Sequence, residues 1–487
     1  MRHNVRIEGI VTPLQQREQF VYLPFAAPPG ARRLEVSYYY DNQVKGAQEF
    51  NPGNNIDIGV FDVRGAEFLG GGFRGWSGQA RTGFFIEREA ATPGYLRGPI
   101  QPGEWTIVFG CSKISDEIVR YRVNVDFEID LDTVDAPPGE VPMPGAVRPA
   151  SVAGASDGAA ENGAGRWYRG DLHAHSEHSD GANTVAEIVD YTRRAGLEYF
   201  ALTDHNTISH WDELARLDDG APLLIAGEEI TMYGGHANVW GLDGWIDFRG
   251  TDDEKVRRLV EEANRRGSMF SINHPDSPIP WTHDAVRDYQ AVEVWNAPWR
   301  AYNANERTLV RWVEHLDRGE RMVAVGGSDS HCVPPAPMTQ PNGPGEPCTW
   351  AYVEGPLTQR AVLEAVERGR VFISEAPNGP FIEMRADADG DGVFETLPGD
   401  RIEAPPDAAV RFRVKYRGPD GKHLRFFGNR GLVREITPDA EAYDDEFELR
   451  LEGDGYLRAE VRGFRGRPER GEVVHALTNP IYWGSWK

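Results

Sequence analysis

Residues 170–181 read GDLHAHSEHSDG, and this stretch decides how the rest of the chain is understood. A short apolar run reaches Leu172 and then delivers His173 and His175. A strand places residues i and i+2 on one face, about 6.5–7 Å apart, so both imidazoles can reach one ion. Six more short apolar runs follow, each carrying polar residues at an end: YFALTDHN (199–206), LLIAGEEIT (223–231), HANVWGL (236–242), MFSINHPD (269–276), AVEVWNA (291–297) and MVAVGGSDSH (322–331). Helical patterns separate several of them. Thr184-Val-Ala-Glu187 is predicted to be a capping box, Thr251-Asp-Asp-Glu254 a second, and Gly267 the C-terminal stop of the helix that the second begins. Repeated strand–helix units of this length predict a parallel α/β barrel or a doubly wound sheet. In a parallel barrel the strand C-termini open on one face, so their end residues converge.

Those end residues are mostly metal-ligand types: His173, His175, Asp180, His205, Glu229, His236, His274, Asp329 and His331. The chain has 13 histidines, and ten lie between His173 and His331, a concentration that needs a chemical reason. None of the three cysteines (Cys111, Cys332, Cys348) joins the array, which argues against a thiolate site. Imidazole with carboxylate suits Zn, Mn or Fe. The donors exceed one ion's needs and suit a cluster of two or three divalent ions. Near them, Asn273 and Asn296 are candidates to orient ligands or bind substrate, and Arg300 and His210 are further candidate substrate contacts. Arg300 reads either as a phosphate clamp through its forked guanidinium or as a surface ion pair.

Outward from this segment the pattern changes. Residues 1–134 alternate apolar and polar positions, as in RLEVSYYYDN (33–42) and EWTIVFG (104–110), and predict a β-sandwich or jelly roll. Residues 135–165 are rich in Pro, Gly, Ala and Ser and read as a linker. The strand–helix segment occupies 166–375. Residues 376–487 return to alternation and predict a second, smaller β-sandwich. Asp387-Ala-Asp389-Gly-Asp391-Gly392 looks like the start of a calcium loop, but position twelve is Pro398 rather than the required Glu, so it reads as a turn.

The opening GDLHAHSEHSDG, with Thr203-Asp204-His205, Gly227-Glu228-Glu229, Asn273-His274-Pro275 and Ser328-Asp329-Ser330-His331, resembles the PHP (polymerase and histidinol phosphatase) superfamily of metal-dependent phosphoesterases. Together with GHANVWGL (235–242) it is most similar to the carbaryl-hydrolase-like (CehA/McbA) branch. The resemblance spans about 210 of 487 residues. It implies a distorted (β/α)7 TIM-like barrel with a di- or trinuclear centre. His173, His175, Glu229 and Asp329 would hold the first ion. Glu229 would bridge to a second, held also by His236 and His274. Asp180, His205 and His331 would hold a third. Some relatives carry His where this chain carries Asp180, and a carboxylate there can still ligate.

The whole chain bounds the partners. Its 487 residues suggest about three domains at ~150 residues each. A net charge of −24 argues against a nucleic-acid backbone or an anionic membrane as main partner. Mean hydropathy is −0.52, no apolar run approaches the ~18 residues of a membrane span, and MRHNVRIEGIV lacks a signal-like core. The expectation is a cytoplasmic enzyme acting on a small-molecule ester, its oligomeric state unspecified. The leading reading is a phosphoesterase cleaving a small phosphomono- or diester by attack of a metal-bridging hydroxide, with Asp329 and Glu229 as catalytic carboxylates. The second is a carboxyl- or carbamate-ester or amide hydrolase on the same centre. The third is a non-catalytic metal- or glycan-binding protein.

Overall fold

The structure is a computed structural model that describes residues 1–44, 53–130, 165–300, 304–335, 342–405, 407–465 and 471–486. Apart from Gly165, the linker expected at 135–165 lies outside the described residues. The N-terminal alternation builds two four-stranded antiparallel sheets. One runs Arg2–Val11, Val119–Ile129, Ala31–Tyr40, Gly83–Glu87; the other runs Phe20–Ala27, Gly103–Lys113, Asn55–Phe61, Phe73–Gly78. Leu34, Val36 and Tyr38 from the first meet Ile56, Ile58 and Trp105 from the second in one core. The tyrosines at 38 and 40 belong to this core: the Tyr38 hydroxyl donates to the Ile56 carbonyl, and the Tyr40 hydroxyl accepts from the Ile56 amide.

The second sheet is covered on both faces along Asn55–Phe61 and Phe73–Gly78. Phe61, Phe73, Trp76 and Val108 leave the N-terminal core and join that of the central segment, where Phe73 stacks on Trp245 at 4.2 Å. Each aromatic buried this way contributes about 1.5–3 kcal/mol. Arg249 clasps the junction by donating to the Tyr22 hydroxyl and to the Ala66 and Glu67 carbonyls, while its forked pair with Asp247 balances its charge.

The central strands lie in the order Val323–Gly327, Ala291–Asn296, Met269–Asn273, Gly235–Trp240, Leu223–Met232, Tyr199–Leu202, Arg166–Asp171. Most of these neighbours are parallel, as predicted, but Gly235–Trp240 is antiparallel to both of its own. A tight turn at Tyr233-Gly234 reverses the chain, so His236 sits at the start of its strand rather than the end. That reversal brings His236 level with Thr231 and Asn273. The two ends of the series also meet: Ala174 bridges Ser330, the Asp329 amide donates to the His173 carbonyl at 2.9 Å, and the His175 amide donates to the Ser330 carbonyl at 2.9 Å.

Helix Val185–Arg194 starts on the predicted capping box, with Thr184 and Glu187 capping reciprocally. Helix Asp253–Arg265 corrects the second one. Asp252, not Thr251, is the N-cap, because the extended backbone at Asp252 aims its carboxylate at the Lys255 amide. Gly267 does end this helix, at φ +71°. Toward the C-terminus, Val371–Ser374 pairs with Glu472–Thr478, so one sheet continues from the central segment into the last strands. A three-stranded sheet of Phe381–Asp387, Ala409–Arg417 and Ala442–Arg450 packs against it through Ile382, Met384 and Phe412. Among the described residues, no helix is long and apolar enough to cross a membrane.

Candidate metal centre

The nine sequence-predicted donors converge. Four groups have donor atoms within 4.8 Å of one another: His175/Asp180/His205/His331, His173/His175/Asp329, His173/Glu229/His274 and His205/Glu229/His236. Glu229 is fully buried at the middle. Its Oε1 lies 3.3 Å from His173 Nε2, 3.3 Å from His236 Nδ1 and 3.5 Å from His274 Nε2. Its Oε2 lies 2.6 Å from His205 Nδ1 and 3.5 Å from His175 Nε2. Asp329 Oδ1 is 3.0 Å from His175 Nε2, and Asp180 Oδ1 is 3.2 Å from His331 Nε2.

The donor chemistry fits divalent ions. Glu229 Oε2 and His236 Nδ1 are buried with ion-pair neighbours but no well-formed hydrogen bond, and His175 Nδ1 is buried with no well-formed hydrogen bond either. A buried polar atom left in that state costs about 1–3 kcal/mol, so it points to a ligand that completes it. His274 (φ +27°) and Asp329 (φ +48°) also hold left-handed backbone that non-glycine residues rarely adopt.

Burial works against charge throughout the cluster, and the neighbours decide the outcome. His205, His173 and His236 outweigh burial at Glu229 and hold its carboxyl well below the usual range. Burial would lower His205 and His331, but Glu229 and Asp180 push the first up to about 9, and Asp180 and Asp329 push the second up to about 10. At His175, burial and then the imidazoles of His205 and His331 push it down to about 4. Neighbouring Glu228 faces away from the donors and accepts from the Ile246 amide; burial raises its carboxyl well above the ordinary range.

Buried polar residues behind the donors hold the loops, and several escaped the sequence reading, which looked at strand ends. Asp204 accepts from the Ser176 amide and from the Ser176 and Ser179 hydroxyls, fixing the loop that carries Asp180. Asp171 accepts from the amides of His173, Ser328 and Gly345. Glu293, in the middle of AVEVWNA, lies 2.8 Å from His173 Nδ1. The available signal was one carboxylate set inside an otherwise apolar strand.

The four candidate substrate contacts sort differently. Asn273 donates to Glu229 Oε1 at 2.8 Å, and Asn296 donates to Asp329 Oδ2 at 3.2 Å, so both orient donors. His210 is fully buried with Nδ1 3.1 Å from Asp204 and Nε2 3.1 Å from the Leu202 carbonyl, beneath the site rather than in it. Arg300 is exposed and donates to the Gly471 carbonyl at 2.6 Å, which commits it to the C-terminal region instead of a phosphate clamp.

Residues 171–268 match the family model of the PHP domain. Six of the nine donors fall inside that match, and His274, Asp329 and His331 lie beyond it. The uncharacterized protein MJ1587 of Methanocaldococcus jannaschii is 28% identical over 165 residues, 30% of this chain and 93% of that protein. Among solved structures, a two-domain protein from Bacteroides vulgatus containing a predicted PHP-like metal-dependent phosphoesterase is similar at 19% identity. The similarity covers 70% of this chain and 100% of that one, with a TM-score of 0.38. An amidohydrolase from Chromobacterium violaceum is similar at 17% identity over 34% of this chain and 88% of that one, with a TM-score of 0.25.

Proposed function

We propose that the chain is a metal-dependent hydrolase, and that its substrate is a small phosphomono- or phosphodiester. The observation that carries the reading is the converged donor set, with three buried polar atoms that lack a well-formed hydrogen bond, inside and beside a PHP-domain match. The ligand assignment is His173, His175, Glu229 and Asp329 for one ion, Glu229, His236 and His274 for a second, and Asp180, His205 and His331 for a third. Zn, Mn and Fe suit these donors. We place the chain in the carbaryl-hydrolase-like branch on GDLHAHSEHSDG and GHANVWGL. The central segment (166–375) is a distorted (β/α)7 barrel, supported by the meeting of its first and last strands at Ala174 and Ser330. It is flanked by β-sandwiches at 1–134 and 376–487.

Divalent ions, when bound by these donors, would supply hydroxide at neutral pH and neutralise developing negative charge. The chain's own residues do the rest. Glu229 has no exposed surface, so it serves as a bridging ligand rather than as a proton acceptor from substrate. Asp329 has a 22% exposed side chain at the mouth and takes the attacking water's proton at its carboxylate. Asn273 and Asn296 keep these two carboxylates aimed inward. Arg300 held by Gly471 favours a second reading, a carboxyl- or carbamate-ester hydrolase, because it takes away the cation expected to clamp a phosphate.

Metal analysis followed by p-nitrophenyl phosphate, bis-p-nitrophenyl phosphate and p-nitrophenyl acetate tests both. We expect two to three ions per chain, by the count of donor groups, and metal-dependent turnover of a phosphate substrate. Turnover of the acetate alone transfers the assignment to the second reading. Activity that survives complete metal removal overturns both.

A further inference from the structure

We propose that Glu293 is a positioning residue of this site: its carboxylate sets which nitrogen His173 offers to a metal, and it also fixes the placement of His274 and Asp329. The inference rests on the metal-dependent reading above. Glu293 is nearly fully buried, on the strand between those that carry His274 and Asp329. Its Oε1 lies 2.8 Å from His173 Nδ1. An ionised carboxylate only accepts, so Nδ1 carries a hydrogen, and of the two neutral tautomers the one selected keeps the lone pair on Nε2. That Nε2 is the atom facing the other donors, 3.3 Å from Glu229 Oε1, 3.4 Å from Asp329 Oδ1 and 3.2 Å from His175 Nε2.

The second oxygen does two more jobs. Glu293 Oε2 accepts from the His274 backbone amide at 3.1 Å, which pins the left-handed backbone at that ligand. It also accepts from Asn296 Nδ2 at 3.0 Å, and the same amide nitrogen donates to Asp329 Oδ2 at 3.2 Å. One carboxylate therefore ties ligand-bearing segments from three strands. Gly327 makes room for it: a Cβ there would stand 2.4 Å from Glu293 Oε1 and 2.5 Å from His173 Cβ.

Glu293→Gln is the sharpest test, because the amide has the same shape and cannot satisfy all three partners. If its oxygen faces His173, its NH2 opposes the donors of His274 and Asn296. If it flips, the NH2 opposes His173 Nδ1–H and drives the imidazole to the tautomer whose Nε2 carries hydrogen and cannot ligate. We expect the variant's metal affinity, measured by chelator competition, to fall about 10–100-fold. We expect the visible spectrum of the cobalt-loaded protein to change, and Glu293→Asp, which keeps the charge, to recover part of both. A purely structural role would lower the melting temperature of the metal-free protein and leave affinity and spectrum unchanged. Glu293→Gln with wild-type affinity and wild-type cobalt spectrum overturns the inference alone. Wild-type protein that binds no divalent ion overturns it together with the reading it rests on. Should Glu293→Gln fail to fold, the same affinity and spectral comparison is made on Glu293→Asp.

Discussion

Among the described residues, two clusters have the composition of a metal site, and they are built in opposite ways. The central one gathers nine donors from strands and loops spread over His173–His331, buries most of them, and leaves Glu229 Oε2, His236 Nδ1 and His175 Nδ1 without a well-formed hydrogen bond. The other, Asp387, Asp389, Asp391 and Glu395, comes from one loop. Each of its carboxylates has a backbone partner on one oxygen at least: Asp387 accepts from the amides of Gly390 and Gly392 and pairs with Arg411, Asp389 accepts from the Asp391 amide, Asp391 from Val393, and Glu395 from Ala388. Donor proximity is common to both. What separates them is whether the oxygens and nitrogens have anything else to bond.

The largest effect is expected at the centre of the first cluster. Glu229→Ala removes the carboxylate shared by two donor groups and leaves several imidazoles facing one another. Metal content should collapse, and turnover of any substrate found for the wild type should fall by more than about 100-fold, the upper end for losing only an outer partner. Atomic absorption and steady-state rates check this. Full activity in the variant would erase the distinction drawn between the clusters.

A smaller loss is expected one layer out. Asn296→Ala deletes the amide between Asp329 and Glu293 without removing a donor. Metal affinity should fall about 10-fold, toward the low end for such outer partners, with ligand stoichiometry kept. Chelator competition reads it. Unchanged affinity would mean that the central donors hold their geometry without help from Asn296.

How much of this was readable beforehand follows from the same physics. The donors were legible because imidazole and carboxylate at consecutive strand ends stand out against apolar strands, whatever the detailed topology. The reversal at Tyr233-Gly234 was not, since a short apolar run such as HANVWGL carries no direction, and it places His236 at a strand start. Glu293 was hidden because it lies mid-strand, where the pattern marks only core. Arg300 is the converse case: its nearness in sequence to a strand end says nothing of Gly471, 171 residues away, whose carbonyl accepts from its guanidinium. The N-terminal sheets were legible from alternation, whereas burial of the second sheet's outer face depends on contacts with Trp245 and Phe248 that no local pattern encodes.

Acidity gives a third probe of the comparison. Without metal, His205 and His331 are pushed up to about 9 and about 10 against burial, by Glu229 and Asp180 and by Asp180 and Asp329 respectively. Folded values raised above the unfolded value of about 6.5 mean the folded chain binds more protons between those limits. The resulting stability is therefore complete below about 6.5 and is lost as pH rises through 9 to 10. Chelator-treated protein should show a lower melting temperature at pH 10 than at pH 7, and His331→Asn should shrink that difference. Metal-loaded protein should show less of it, because ligation replaces the proton at these nitrogens. An equal pH response in loaded and stripped protein would count against ligation by His205 and His331.

The smallest effect belongs to the loop. Asp391 is exposed and its side chain is engaged by the Val393 amide two residues on, a turn-forming bond that Ala at that position loses at little cost. Asp391→Ala should shift the melting temperature by under about 2 °C, the scale of a surface substitution in a domain of this size. Millimolar calcium should leave the melting temperatures of both proteins unmoved, since an ion held by Asp387 would have to displace the Gly390 and Gly392 amides and the guanidinium of Arg411 from its oxygens. A calcium-dependent rise in the wild type that Asp391→Ala abolishes would show that satisfied carboxylates can still give way to a cation, and the unpartnered atoms around Glu229 would then lose their standing as the mark of a metal site.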